Sequence, residues 1–272
     1  MTWPVLLALK KTFPDHCWMG IGASGPMRLT VHLGLLDGFV DAGSRECLGF
    51  FSGASLPAAV RNVDGAVLWL KEGDSCARLL KKTASLPVVI AEGPKPQAGS
   101  HIVRQFFASL GEAFRIQTPD PLFMGFPDLR GMGRLAIIHP GSGSIKKNFE
   151  PEFYRKIAEG LKQNGCPGVR LIMGPAEIDR GLPRAFPDLG LIFPPDAVAL
   201  AELLKTASLY IGNDSGVSHL AGYLGLPSYV LYKATDPAVW GVIGKNVHLV
   251  KAENSEAAFE ALLSLGIGIS PL

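Results

Sequence analysis

The regular alternation of strand-like and helix-like segments in the second half of the chain constrains the fold most strongly. Short apolar runs typical of buried strands recur six times between Leu135 and Val250, separated by segments with helical spacing of apolar residues. The strands are predicted at 135–139, 169–173, 189–193, 209–212, 228–231 and 247–250, and the helices near 151–164, 176–185, 197–206, 215–224 and 237–240. Six strands with five crossovers predict a complete doubly wound parallel α/β sheet.

The first half of the chain alternates in the same way, but less regularly. Helices are predicted at 2–13, from Pro26, and near 55–61, 74–84 and 101–110, and strands at 17–21, 39–40, 66–70 and 87–91. Residues 115–133 break the pattern with three prolines and three glycines. We therefore predict two Rossmann-like lobes, 1–118 and 134–254, joined by a linker at 119–133. A last helix, 255–265, is predicted to lack a sheet partner in the second lobe.

Composition excludes several classes of protein. The 272 residues carry a net charge of +2, so no global basic field points to nucleic acid or to an anionic membrane. No apolar run reaches the roughly 18 residues of a membrane-spanning helix, and the N-terminal lysines follow the apolar run rather than precede it, unlike a secretory signal. The four cysteines are widely spaced, which favours free thiols over disulfides or a zinc site. We therefore expect a soluble, cytoplasmic protein.

The first candidate site is the loop from His139 to Phe149, with the sequence HPGSGSIKKNF, between a strand and a helix that begins near Pro151. Glycines let backbone amides approach an oxyanion, serines add hydrogen-bond donors and a lysine adds a mobile positive charge. The loop is neither a Walker A loop nor a GxGxxG loop. The sequence alone leaves two interpretations open, a phosphate site or an ordinary turn with solvated lysines.

The second candidate site, GNDSGVSHL at 212–220, follows the fourth strand of the same lobe. Asp214 and Ser215 stand where an N-cap would, so a merely well-capped helix is one interpretation. His219 comes one turn after Ser215, and helix amides, a hydroxyl and an imidazole together suit a diphosphate. Because strands one and four are neighbours in a doubly wound sheet and flank its ligand crevice, the two loops together predict a nucleotide or diphosphate site.

Four motifs of the second lobe resemble glycosyltransferase family 9, which contains the ADP-heptose:lipopolysaccharide heptosyltransferases. They are HPGSGSxxKNF, GPAE at 174–177, GNDSGxxHLAxxLGxP at 212–227 and TDPxxWG at 235–241, and they come in family order. The first lobe is similar more weakly, through LLALKKTFPD and HIVRQFFASLG.

The resemblance implies a GT-B fold, in which two Rossmann-like lobes face a cleft. It implies inverting, metal-independent transfer of a heptose-like sugar from a nucleotide diphosphate donor, expected to be ADP-linked, to a cell-envelope glycan such as the lipopolysaccharide core. The donor would bind the second lobe and the acceptor the cleft beside the first, onto which helix 255–265 would cross back. Neither a cofactor nor nucleic acid is expected, whereas peripheral contact with the cytoplasmic membrane face is.

The resemblance also implies roles for individual residues, position by position. Lys147 matches the lysine that contacts donor phosphate, whereas Lys146 has no such match, and Ser142 matches the small hydroxyl residue of the same loop. Glu177, with Asp179 as the alternative, matches the acidic residue that reaches the nucleoside, although a solvated loop carboxylate is the other interpretation. The segment that would hold the diphosphate and the sugar comprises Asp214, Ser215, Gly216 and His219.

The chain departs from the family pattern at its N-terminus. Family members begin with a strand and a Gly-Asp loop, whose aspartate deprotonates the acceptor, before the helix that here starts at 1–4. The resemblance therefore leaves the catalytic base unassigned, since Asp15 and Asp37 do not match that position. We expect an incomplete first lobe, and either a start codon assigned too late or a poor catalyst. The rival hypothesis is a nucleotide-sugar-binding protein of the same fold without catalysis; the motifs do not favour a sugar-nucleotide epimerase.

Overall fold

The computed structural model describes residues 2–61, 63–69, 74–83, 88–90, 99–130 and 132–269. The chain divides into two compact units, Met1–Leu122 and Phe123–Leu272. The division falls inside the segment predicted as a linker. The later part of that segment packs on the second unit, where the ring of Phe126 lies 4.6 Å from that of Tyr223 and Asp128 pairs with Lys245.

The first unit is built of short parallel strands and their crossover helices. Its described elements are α1 (Trp3–Thr12), β1 (Met19–Gly22), α2 (Ser24–His32), β2 (Gly38–Asp41), α3 (Arg45–Ser52), β3 (Ala66–Leu68), α4 (Ser75–Thr83), β4 (Val88–Ile90) and α5 (Ile102–Phe114). β1 pairs in parallel with β2, and β3 pairs in parallel with β4. This agrees with the alternation seen in the sequence, because parallel neighbours require a crossover connection.

Helix α3 corrects the helix predicted near 55–61, where the structure has only a short 3-10 turn at Ala58–Val60. Ser44 caps α3 by accepting a hydrogen bond from the Cys47 amide, and Phe50 is buried. A serine N-cap followed by buried residues at helical spacing was the signal for this helix. Predicted strand residues 70, 87 and 91 lie outside the described residues.

The second unit contains the complete doubly wound sheet. Its elements are β5 (Leu135–His139), α6 (Pro151–Gln163), β6 (Gly168–Ile172), α7 (Pro175–Asp179), β7 (Leu191–Ile192), α8 (Ala197–Lys205), β8 (Ala207–Asn213), α9 (Gly216–Tyr223), β9 (Ser228–Tyr232), α10 (Pro237–Trp240), β10 (Val247–Lys251) and α11 (Ser255–Ser264). The six strands are parallel, in the order β10-β9-β8-β5-β6-β7. The order confirms the predicted sheet and places β5 beside β8.

Two helices of this unit differ from their predictions. The helix predicted at 176–185 ends at Asp179, because Gly181 adopts a left-handed φ of 69° that an α-helix does not continue through, and a 3-10 turn at Leu182–Ala185 follows. The last helix, α11, was predicted to lack a sheet partner in its own lobe and to pack on the first. Within the second unit it packs on β10 and α6, and its Ala258 and Leu262 are fully buried in the core, so the predicted lack of a partner in its own lobe is wrong. Its packing on the first lobe stays a prediction.

The structure also bears on the cysteines, on membrane-spanning helices and on metal-binding clusters. All four cysteines are free, as predicted. No helix within the described ranges is both long enough and apolar enough to span a membrane. The same residues hold no group of three or more His, Cys, Asp or Glu side chains placed to bind a metal ion.

Candidate ligand-binding site

The two candidate loops lie side by side at the carboxyl ends of neighbouring strands. β5 ends at His139 and β8 runs one residue past Gly212, and these two residues are register partners across the pair. We call residues 140–150 the first loop and residues 214–215 the second loop. Because strand ends of a parallel sheet meet at one edge, both loops reach the crevice where ligands bind in this class of fold.

Asn213, the last residue of β8, fixes the first loop from beneath. Its side chain is fully buried, and its amide nitrogen lies 2.9 Å from the carbonyl oxygen of Pro140 and 3.2 Å from that of Gly141. Its amide oxygen accepts a 2.7 Å hydrogen bond from the hydroxyl of Tyr154 on α6. Sequence reasoning gave this residue no role. Its position at the end of a buried strand was the available signal, because a buried amide needs hydrogen-bond partners.

The side chain of Ser142 is turned into the first loop. It is almost fully buried, and its Oγ lies 2.6 Å from Oδ1 of Asn148 and 2.7 Å from the carbonyl oxygen of Ser144. A hydroxyl has one proton to donate, so either contact uses it. In this geometry Ser142 shapes the loop, and the phosphate contact implied for it by the resemblance stays a prediction.

Arg180, just beyond α7, supports the same loop from another side. Its guanidinium donates to the carbonyl oxygens of Ser142 at 2.8 Å and Gly143 at 3.1 Å. The amides of Gly141, Ser142 and Gly143, in contrast, donate to no acceptor in the part of the chain that the structure describes. A glycine-rich loop whose carbonyls are occupied and whose amides are available is suited to an anion.

Lys147 and Asp214 join the two loops through an ion pair. Nζ of Lys147 lies 2.6 Å from Oδ2 of Asp214, and Oγ1 of Thr235 donates to the same oxygen at 2.7 Å. Asp214 is almost fully buried, whereas 28% of the Lys147 side chain is exposed. Lys146 is exposed, and no hydrogen bond or ion pair joins it to another described residue. The structure therefore distinguishes the two lysines, and the phosphate contact implied for Lys147 stays a prediction.

Ser215, and not Asp214, caps helix α9. Its Oγ accepts from the amide of Ser218 at 3.3 Å, as an N-cap hydroxyl does. Asp214 does not cap the helix, and its carboxylate pairs with Lys147. Gly216 opens the helix with open space around it, and the half-buried His219 lies one turn beyond Ser215. The predicted diphosphate segment is thus assembled around the positive end of a helix.

Glu177 lies on α7 and is buried, so its interpretation as a solvated loop carboxylate is wrong. Its Oε2 accepts from the Gly174 amide at 2.9 Å and lies 3.8 Å from Nε2 of His139. Burial by itself would raise the pKa of the Glu177 carboxyl, but the contacts with His139 and the Gly174 amide outweigh burial and lower that pKa. Asp179, the alternative, is exposed. The contact of Glu177 with a nucleoside stays a prediction.

Two further lysines, which sequence reasoning missed, hold the outer side of the site. Lys233 lies with its Nζ 5.3 Å from the ring centroid of Phe149 and 3.3 Å from a carboxylate oxygen of Glu150. Lys251 donates to the carbonyl oxygens of Lys233 at 3.2 Å and Thr235 at 3.1 Å. Lys233 directly follows β9 and Lys251 is the last residue of β10, so only the three-dimensional sheet order brings them to the loops.

Known proteins with the same sequence pattern are bacterial heptosyltransferases. The model of the family "Glycosyltransferase family 9 (heptosyltransferase)" matches residues 97–264. Lipopolysaccharide heptosyltransferase 1 of Escherichia coli K12 is 28% identical over 143 residues, which are 49% of this chain and 44% of that protein. Its namesake from Pseudomonas aeruginosa is 31% identical over 123 residues, 44% of this chain and 34% of that protein. The matched segment thus spans less than half the length of these relatives.

Solved structures are similar over nearly the whole chain. E. coli heptosyltransferase WaaC with ADP has a TM-score of 0.72 at 18% identity, covering 97% of this chain and 94% of that one. E. coli ADP-heptose lps heptosyltransferase II has a TM-score of 0.67 at 13% identity, covering 97% and 93%. At such identities the likeness shows the fold, which is the GT-B fold that the motifs predict. Since the family model covers more than half of the sequence, the chain belongs to glycosyltransferase family 9.

Proposed function

We propose that the protein transfers a heptose-like sugar from an ADP-linked donor to a lipopolysaccharide-type acceptor, with inversion and without a metal ion. The observation that carries the proposal is the geometry at the ends of β5 and β8. There Lys147, the amides of the first loop and the N-terminus of α9 come together in one crevice. The names of the similar proteins, which are lipopolysaccharide heptosyltransferases, support the choice of sugar and acceptor.

The diphosphate is the part of the donor for which these residues are best suited. When the bond between the sugar and the diphosphate breaks, negative charge grows on the departing phosphate oxygens. Fixed amides, a helix N-terminus and the Lys147 ammonium would stabilise that charge without having to reorganise. This donor set supports a mechanism in which the protein itself takes the place of a metal ion.

Asp214 and Glu177 would bind the two uncharged parts of the donor. Asp214 is held by Lys147 and Thr235 through one oxygen, Oδ2, which leaves its other oxygen to accept from a sugar hydroxyl. Glu177, kept ionised by its neighbours, would accept from a ribose hydroxyl. His219 would complete the site one turn along α9. The nucleobase follows only from the relatives' ADP.

Inversion requires the acceptor oxygen to attack the anomeric carbon from the side opposite the leaving diphosphate. The new carbon–oxygen bond forms as the bond to the β-phosphate breaks, ADP leaves, and the acceptor's hydroxyl proton passes to a base. We assign that base to no residue. Because lipopolysaccharide precursors are lipid-linked, we further propose that the protein works at the cytoplasmic face of the inner membrane.

Turnover of the donor tests this proposal. The protein would be incubated with ADP-heptose and heptose-deficient lipopolysaccharide, with and without EDTA, and the release of ADP measured. We expect release that requires the acceptor, persists in EDTA and falls strongly in Lys147→Ala but not in Lys146→Ala. Tight ADP binding without release would favour the rival hypothesis of a binding protein. A protein that neither binds ADP nor releases it from the donor would contradict both hypotheses.

A further inference from the structure

His139, the last residue of β5, is a buried imidazole to which the proposed function gives no role. Only 4% of its surface is exposed. Since β5 lies between β8 and β6, the imidazole stands between the two elements that follow those strands. One is α9 with its cap Ser215, in the proposed diphosphate region, and the other is α7 with Glu177, in the proposed nucleoside region.

Each ring nitrogen of His139 faces one of these elements. Nδ1 lies 3.4 Å from Oγ of Ser215, and Nε2 lies 3.8 Å from Oε2 of Glu177. A carboxylate can only accept a hydrogen bond, so the ring suits Glu177 best with its proton on Nε2. Nδ1 of the neutral ring is then an acceptor for the Ser215 hydroxyl. The partners on the two sides thus define a consistent tautomer.

The contact with Ser215 continues into a buried polar chain. The backbone amide of Ser218 donates to Ser215 Oγ at 3.3 Å, and Oγ of Ser218 donates to the carbonyl oxygen of Asn213 and lies 2.9 Å from the hydroxyl of Tyr210. Ser218, Asn213 and Tyr210 are all fully buried. Because members of a buried hydrogen-bond network depend on one another, a change at His139 reaches the N-terminus of α9.

The contact with Glu177 is confined by packing on the opposite side. A Cβ atom added to Gly141 would overlap the Glu177 carboxylate, which shows how closely the first loop covers it. The Gly174 amide holds the same carboxylate from its own helix. Glu177 therefore has little freedom, and the side chain of His139 is the neighbour that sets the remaining orientation of its oxygens.

We propose that His139 is a positioning residue that couples the two halves of the ligand site. Through Ser215 it holds the diphosphate end, and through Glu177 it holds the nucleoside end. This inference rests on the proposed function, because it takes the bound ligand to be a nucleoside diphosphate. It predicts that the two contacts of one imidazole contribute separately to the affinity for ADP.

Two isosteric substitutions separate these contacts. The amide of asparagine lies near the position of Nδ1, so His139→Asn keeps a partner for Ser215 and loses the one for Glu177. The longer glutamine places its amide near Nε2, so His139→Gln keeps a partner for Glu177 and loses the one for Ser215. We expect each variant to weaken ADP about three- to tenfold, the range of one lost polar contact. The exposed His248, on edge strand β10, gives the matched control His248→Gln, with unchanged affinity.

Double-mutant cycles on ADP affinity, measured by calorimetry, test the coupling. The loss of ADP affinity caused by Glu177→Gln should be at least about threefold smaller in the His139→Asn background than in the wild type. The loss caused by Ser215→Ala should be smaller by a similar factor in the His139→Gln background. The crossed pairs, His139→Asn with Ser215→Ala and His139→Gln with Glu177→Gln, should be additive. This selectivity is a result that a merely structural histidine does not produce.

The remaining outcomes decide against the inference in distinguishable ways. Additivity in all four pairs, or equal non-additivity in all four, would overturn it while wild-type ADP binding upheld the proposed function. Loss of the folded state in both His139 variants, seen by circular dichroism, would overturn it too and make the residue structural. Failure of the wild-type protein to bind ADP would overturn the proposed function, and the inference with it.

Discussion

The two loops of the site are built in opposite ways. The first loop runs for eleven residues between β5 and α6, and side chains from elsewhere hold its carbonyl groups, Asn213 from β8 and Arg180 from beyond α7. The second loop is only two residues long, and its side chains reach outward, Asp214 to Lys147 and Ser215 to His139. The short loop and its strand thus supply support, and the long loop receives it.

This difference shows that a motif residue can serve the site without touching a ligand. The hydroxyl of Ser142, in the long loop, contacts Asn148 and Ser144 of the same loop. Asn213, beside the short loop, donates its amide N–H groups to carbonyl oxygens of the long loop, and its amide oxygen accepts from Tyr154 on α6. If the comparison is right, removing the support at Asn213 should cost stability, and changes at Gly141 and Asp214, which border the crevice, should change the affinity for ADP.

Removal of the support at Asn213 should have the largest effect. Asn213→Ala leaves the buried carbonyls of Pro140 and Gly141 and the hydroxyl of Tyr154 without their partner. We expect the free energy of unfolding, measured with urea, to fall by about 3 kcal/mol. The control Asn164→Ala, at the exposed end of α6, should cost under about 1 kcal/mol. Equal losses at the two positions would contradict the supporting role.

Crowding at Gly141 should have the next largest effect. Gly141→Ala would push the Glu177 carboxylate out of its contacts, whereas an alanine at Gly143 meets open space. We expect Gly141→Ala to lower the free energy of unfolding by about 1–3 kcal/mol, as overpacked sites do, and to weaken ADP. Gly143→Ala should stay within about 0.5 kcal/mol. Similar urea midpoints and ADP affinities in both variants would show that the loop yields at Gly141 without cost.

Neutralising Asp214 should change ligand binding more than stability. Ser215 caps α9, so Asp214→Asn leaves the cap intact and keeps an acceptor for Thr235. The substitution releases Lys147 and removes a negative charge beside the proposed phosphates. We therefore expect ADP to bind about three- to tenfold more tightly, about 1 kcal/mol, with a nearly constant melting temperature. Unchanged affinity in calorimetry, with or without a fall in melting temperature, would contradict a role for its charge.

The smallest effect should be the acid sensitivity due to Glu177. Its pKa in the folded protein lies below the ordinary value of 4.5, so its contribution to stability is present above that value and is lost as the pH falls through the lowered pKa. Urea unfolding between pH 3 and about 6 should show a shallower decline in Glu177→Gln than in the wild type. The exposed Glu159→Gln should keep the wild-type slope. Parallel slopes in all three proteins would refute the lowered pKa.

Much of the second unit could be predicted because the information is local. Six apolar runs and the crossovers between them define the sheet, and the order of a doubly wound sheet then places β5 beside β8. The end of α7 was missed because a single glycine with a left-handed backbone, Gly181, overrides helical periodicity. The partners of α11 within the second unit were missed because a helix after the last strand carries no local sign of the surface that its apolar face covers.

Residues of the candidate site could be named from the sequence, but their contacts with one another could not. Lys147 and Asp214 were both named, but their ion pair spans 67 positions in sequence and depends on the pairing of two strands. Glu177 was expected in solvent or on a nucleoside, and its burial against Gly141 and His139 follows from the tight loop. Lys233 and Lys251 were missed because they lie at the carboxyl ends of β9 and β10, outside the motif loops.

Isothermal titration calorimetry with ADP in the presence of EDTA tests the central claim most directly. The wild-type protein and Lys146→Ala should bind with the same affinity, because Lys146 is exposed and takes no part in the ion pair between Lys147 and Asp214. Lys147→Ala should bind about ten- to a hundredfold more weakly, since it loses a charge-assisted contact to phosphate. No binding without Mg²⁺, or equal losses at the two lysines, would contradict a diphosphate site built from Lys147 and the two loops.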